Sequence, residues 1–212
     1  MSIALAIDTS TRTGRISVAA GQTVVFATDF HSERSHNSQI FSPLGDAISA
    51  CGGKLQRIAV GTGPGSYTGV RIGIAAGIGL AMARKVPIAG IPSPCFAAAA
   101  PLASSYTVVG DARRGSVFVA GVDRGELVSE PSLHPQGEPP PITDPVFTFD
   151  ESPCLPGALP TIPSASRLAV LAATMPTDDF GALARTAPEP IYLRPPFVTQ
   201  PKKPGKAVPR PS

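Results

Sequence analysis

Two aspartates stand where strand-like runs give way to turn residues, Asp8 in LAIDTSTRTG and Asp111 in VVGDARRGS. A pair of carboxylates at strand ends can hold a magnesium ion and its water, with Thr9, Ser10 and Thr11 as hydroxyl ligands for phosphate. Residues of these types also start turns, in which the Asp side chain accepts N–H groups of its own backbone and needs no ligand. No lysine or general base accompanies the pair, which favours the turn. The loop GTGPGSYTG, from Gly61 to Gly69, poses the same choice. A Walker-type loop requires Lys and then Ser or Thr after its last glycine, whereas Gly65 is followed by Ser66-Tyr67. A dinucleotide fingerprint starting at Gly61 and Gly63 requires a third glycine where Ser66 stands. A nest of N–H groups at a helix start is the remaining phosphate reading, ranked below a tight strand-to-helix turn.

Other chemistries fare worse. No GxSxG occurs, and Ser66 has no base partner recognisable in the sequence. Two histidines four apart on a helix would aim both imidazoles at one ion. His31 and His36 are instead five apart and precede the first helical pattern, and His134 lies in a proline-rich stretch. His36 is read as a capping or interface residue and His31 as a solvated side chain. Cys51, Cys95 and Cys154 are odd in number and far apart, which indicates reduced thiols rather than a disulfide framework or a zinc site.

The elements that must position these residues follow from periodicity. Ile3 to Ile7, Arg15 to Ala19 and Val24 to Phe26 read as a strand meander. Ile40, Leu44 and Ile48 recur at four-residue intervals from Ser38 onward, and Gly52-Gly53 stops that helix. Arg57 to Gly61 reads as a buried strand, Val70 to Arg84 as a second helix ended before Pro87, and Val86 to Ile91 as a further strand. TVVGDARRGSVFVAG then repeats the strand, Asp, turn and strand of the N-terminus. Beyond Glu130 lie 19 of the 25 prolines, and QGEPPPITDP excludes regular helix or central strand. Helices are expected from Ser164 to Thr174 and from Asp178 to Arg185.

Within the second helix Gly69, Gly73 and Gly77 form a stripe without side chains. An interior glycine costs about 0.5 to 1 kcal/mol relative to alanine, so the stripe needs a compensating close approach, either of its own sheet or of a partner helix.

The 212 residues carry a formal net charge of +3. From Arg194 to Ser212 there are five basic residues, six prolines and no acid, leaving a slightly acidic body of 13 basic and 15 acidic residues. That distribution argues against a primary nucleic-acid surface on the body and suggests at most a basic appendage. The longest apolar stretch, Ile72 to Ala83, is too short to cross a bilayer, and MSIALAIDTS lacks a basic leader, so neither a span nor a signal peptide is expected.

Taken together, AIDTST, SHNSQIFSPL, GTGPGSYTGVRIGIAAGIGLA, VVGDARRGSVF and PIYLRPPFVTQPKKPGK resemble the TsaB (YeaZ) family over most of the chain. The resemblance implies an α/β fold related to actin, Hsp70 and sugar kinases (ASKHA) with two similar halves, the second shortened and proline-rich. It divides the chain into an N-terminal half (1–103), a shortened C-terminal half (104–194) and a basic tail (195–212). The implied role is a non-catalytic cytoplasmic subunit in forming N6-threonylcarbamoyladenosine in tRNAs that decode ANN codons. Its implied partners are the catalytic TsaD, the ATPase TsaE, a second copy when alone, and tRNA through the complex. The resemblance also implies a partner interface of His36, Ile40, Leu44, Ile48, Gly69, Gly73 and Gly77, and a vestigial nucleotide site at Asp8, Thr9, Ser10 and Asp111. No resident cofactor or metal is expected, ATP or ADP at the interface of the assembled complex being left open. The alternatives are an actin-like nucleotide-dependent phosphotransferase and a glycoprotease-type metallopeptidase.

Overall fold

The computed structural model describes residues 1–31, 39–99, 104–138, 142 and 145–194. Its first sheet comprises β1 (Ile3–Asp8), β2 (Thr13–Ala20), β3 (Thr23–His31), β4 (Arg57–Gly61) and β5 (Ile88–Ile91), in the order β3-β2-β1-β4-β5. The first three strands are an antiparallel meander, while β4 and β5 add in parallel beside β1. Parallel neighbours need crossovers. These are α1 (Phe41–Ala50), between β3 and β4, and α2 (Tyr67–Arg84), between β4 and β5.

α2 starts three residues before the expected Val70, because the Ser66 side chain accepts the Gly69 N–H at 3.2 Å and caps the helix. It ends at Lys85, in a left-handed conformation at φ 54°, before Pro87.

Side-chain size alternates with the two-residue period of the strands, and this decides what covers each face. Leu5, Ile7, Ile16, Val18, Ile58 and Val60 form a core with the inner faces of α1 and α2. Ala4, Ala6, Ala19, Ala59 and Ala89 point the other way. Their small side chains admit α3 (Ala165–Thr174), whose Leu168, Ala169, Ala172 and Ala173 are buried against them.

The second sheet contains β6 (Tyr106–Asp111), β7 (Ser116–Asp123), β8 (Glu126–Leu127), β9 (Ser132–Pro135), β10 (Val146–Thr148) and β11 (Leu159–Pro160). Its order, β11-β10-β6-β7 with β8 and β9 both on β7, repeats that of the first sheet, with the same pattern of antiparallel and parallel pairs. The duplication suspected from VVGDARRGSVF is therefore present. The proline-rich part still supplies three short strands, and a loop without helix crosses from β10 to β11 in the place of α2. That loop lays Cys154 and Leu155 on a small core of Val109, Val119, Val146 and Ala158. α4 (Thr177–Leu183) follows α3, starting one residue before and stopping two before the expected bounds.

Candidate functional site

Asp8 closes β1 and is fully buried. One carboxylate oxygen accepts the Ser10 N–H at 3.0 Å and the Ser10 hydroxyl at 2.7 Å, and the other accepts the Ser93 hydroxyl at 2.7 Å. Burial raises the Asp8 pKa, against the opposing pull of these hydrogen bonds and of Arg15. The glycine loop folds over this turn. Ser66 donates its N–H to the Ser10 carbonyl at 2.7 Å, and Thr9 donates its hydroxyl to the Gly69 carbonyl at 2.7 Å. A Cβ at Gly61 would run into the Asp8 carboxylate and one at Gly65 into the Ser10 carbonyl, so only glycine permits the two loops to meet. Thr9 and Ser10 are buried with Asp8. Asp111 is exposed and accepts the Arg113 N–H at 2.7 Å and the Arg113 guanidinium at 3.1 Å, while its own N–H donates to Asp150 at 2.7 Å. The two aspartates hold equivalent strand ends but share no hydrogen-bond partner among the described residues, and each organises its own turn.

The glycine stripe corrects the sequence reading. A Cβ at Gly69 would meet the Thr9 carbonyl, one at Gly73 the Thr9 hydroxyl, and one at Gly77 the Val60 side chain at 2.5 Å. All three glycines face their own sheet and are buried there, so the close approach that compensates them is intramolecular. Ile40 and Leu44 belong to the same core, and Ile48 packs against it, so these three do not project as outward knobs. His36 lies outside the described residues.

The outward face is formed by their neighbours. α1 and α2 border a groove of about 610 Å³, with Ile40 and Leu44 on its floor and Phe41, Ile72, Ala75 and Ala76 among the residues around it. Phe41 is 68% exposed and Met82, on the outer side of α2, 75%. Sequence reasoning missed these residues, although a signal was present: no charge interrupts α2 between Arg71 and Arg84. A helix apolar all round that buries one face on its sheet must leave the other apolar face uncovered.

His31 contacts Thr13 at 3.1 Å and His134 contacts Ser132 at 2.9 Å, both in exposed settings. No group of three metal-ligating side chains occurs among the described residues. All three cysteines are free, and burial pushes the thiols of Cys95 and Cys154 up to about 12 and about 11, far from thiolate reactivity at neutral pH. No helix among the described residues is long and apolar enough to cross a membrane.

The family model of TsaD, the tRNA N6-adenosine threonylcarbamoyltransferase, matches residues 30–132. The tRNA threonylcarbamoyladenosine biosynthesis protein TsaB of Escherichia coli strain K12 is 34% identical over 132 residues, covering 58% of this chain and 55% of that protein. The protein of the same name from Bacillus subtilis strain 168 is 33% identical over 119 residues, covering 54% and 52%. The chain thus spans about half the length of the curated relatives it matches. The solved structure of YeaZ from Pseudomonas aeruginosa superposes with a TM-score of 0.67 at 25% identity, covering 91% of this chain and all of that one. With its repeated sheet order and its glycine loop closed on the β1 turn, the chain has the actin-like ASKHA fold seen in YeaZ and is similar in sequence to TsaB over somewhat more than half of its length.

Proposed function

We propose that this chain takes part in N6-threonylcarbamoyladenosine biosynthesis on tRNAs decoding ANN codons, as a non-catalytic cytoplasmic subunit that supports a TsaD homologue. Its outer α1/α2 face docks that partner, or a second copy when the partner is absent, and a TsaE homologue joins the assembly. The tRNA is met through the complex, and the chain alone holds no resident cofactor. The halves 1–103 and 104–194 with the tail 195–212 are proposed as its domain division. The observation that carries the reading is the apolar groove between α1 and α2, which is open among the described residues. Asp8, Thr9 and Ser10 support it from the other side, since their polar groups are engaged within their own loops and buried.

The reading is tested by reconstitution. The chain alone, given tRNA and threonylcarbamoyl adenylate, should show no transfer, and adding it to the TsaD and TsaE homologues should raise product measured by nucleoside mass spectrometry. Turnover by the isolated chain would overturn the non-catalytic assignment, and an unchanged rate in the mixture would overturn the supporting role.

A further inference from the structure

The C-terminal segment returns to α2 beside the groove. Pro188 packs against Gly90 of β5, and Ile191 donates its N–H to the Thr62 carbonyl at 2.9 Å. This brings Tyr192 to the first turns of α2. The Arg71 guanidinium carbon lies 4.2 Å from the centroid of the Tyr67 ring and 5.4 Å from that of Tyr192. Arg71 Nε donates to the Tyr192 hydroxyl at 2.9 Å, and the two rings are 5.6 Å apart. The guanidinium is thereby fixed in place at the rim of the groove.

A guanidinium has five N–H donors, of which Nε carries one. The Nη groups of Arg71 have no acceptor and no carboxylate in ion-pair range among the described residues. Arg71 is exposed, so these donors are open to water. Covering the apolar groove strips that water, and donors left unmet at an interface are costly, so the covering surface must supply acceptors. A carboxylate matches the planar fork with two parallel hydrogen bonds. The two helices offer little of this themselves, because α1 contains one acid, Asp46, whereas α2 contains Arg71 and Arg84 and no acid. Two copies set face to face would bring together surfaces of the same net sign.

We propose that Arg71, held between Tyr67 and Tyr192, receives a carboxylate from a protein whose docking face is apolar and acidic, and that it makes this surface prefer such a partner to a second copy. The inference rests on the α1/α2 face being the docking surface. Tyr and Arg are the residue types that most often dominate binding energy, and here they form one cluster. Tyr192 ties the C-terminal segment to the same contact.

The test compares wild type, Arg71→Gln, Arg71→Lys and Phe41→Asp, each checked for an unchanged thermal midpoint, in titrations against the TsaD homologue at low and high salt. Sedimentation of each variant alone measures self-association. Arg71→Gln should weaken partner binding about ten- to hundredfold and flatten its salt dependence, leaving self-association equal or stronger. Arg71→Lys should recover only part, since an ammonium keeps the charge without the fork. Partner binding equal to wild type in Arg71→Gln, while Phe41→Asp abolishes it, would overturn the role of Arg71 and leave the docking face standing. Weakened tRNA binding by the assembled complex, with protein association unchanged, would assign Arg71 to phosphate and likewise overturn the proposal. Self-association reduced by the same factor as partner binding would overturn the preference, and no partner binding by wild type would overturn both readings together.

Discussion

At the scale of single residues, Asp8 carries a pH signature. Burial raises its pKa above the ordinary 3.8, so the folded state holds a proton that the unfolded chain has already released. The contribution of Asp8 to stability is therefore greatest below the ordinary value and falls as pH rises from there through its raised pKa. Asp8→Asn keeps an acceptor for Ser10 and gains a donor for the Ser93 hydroxyl without a charge to bury. In urea titrations the wild type should lose stability relative to Asp8→Asn as pH is raised across that window, and parallel curves would contradict the burial argument. Asp8→Ala leaves buried partners unmet and should cost about 1 to 3 kcal/mol at low pH, and less as pH rises through that window. The turn itself was legible, because Asp-Thr-Ser after an apolar run has few other uses. Ser93 was not. It is 85 residues away, and only the placement of β5 beside β4 brings it to the carboxylate.

At the scale of elements, α2 sets its glycines against each other. Gly73 touches Thr9, whereas a Cβ at Gly79 would meet nothing within 4 Å. Gly73→Ala should lower the thermal midpoint, and the bulkier Gly73→Leu, overpacking a tight contact, should cost about 1 to 3 kcal/mol or more. Gly79→Ala should stabilise the monomer by about 0.5 to 1 kcal/mol through helix propensity. Calorimetry of the two alanine variants decides the orientation of the stripe: equal effects, or the reverse order, would contradict it. The spacing of the stripe was visible in the sequence and its direction was not. A helix apolar all round gives no hydrophobic pattern to orient it, so the answer lies in Thr9 and Val60, on the β1 turn and β4.

At the scale of the whole molecule, α3 joins the halves, and a buried cation fastens it. Arg57 of β4 donates to the Ala172 carbonyl at 2.9 Å, the Met175 carbonyl at 2.6 Å and the Thr177 hydroxyl at 2.9 Å, with its guanidinium 5.0 Å from the Phe180 ring centroid. Two of these acceptors lie at the C-terminal end of α3, where a cation also complements the helix dipole, and the third at the start of α4. Arg57→Ala should cost about 3 kcal/mol or more by urea unfolding, since hydrogen bonds from a charged group and a packed ring are lost together; a cost under about 1 kcal/mol would show that α3 is held without it. The repeat of the first sheet was legible in β6 and β7, whose apolar runs match β1 and β2. Strands β10 and β11, of three and two residues, carry too little pattern to be read among prolines.

What the assembled molecule exposes is the central claim, and sedimentation velocity of the chain mixed with the TsaD homologue tests it most directly. Phe41 is largely exposed, so Phe41→Asp should leave the monomer's thermal midpoint within the small range typical of surface changes. Burying a Phe side chain is worth about 1.5 to 3 kcal/mol, and each 1.4 kcal/mol is about tenfold in affinity. Wild type should sediment with the partner as one complex, and Phe41→Asp should weaken that complex by about ten- to hundredfold. A variant that co-sediments as tightly as wild type would contradict the assignment of the α1/α2 face as the docking surface.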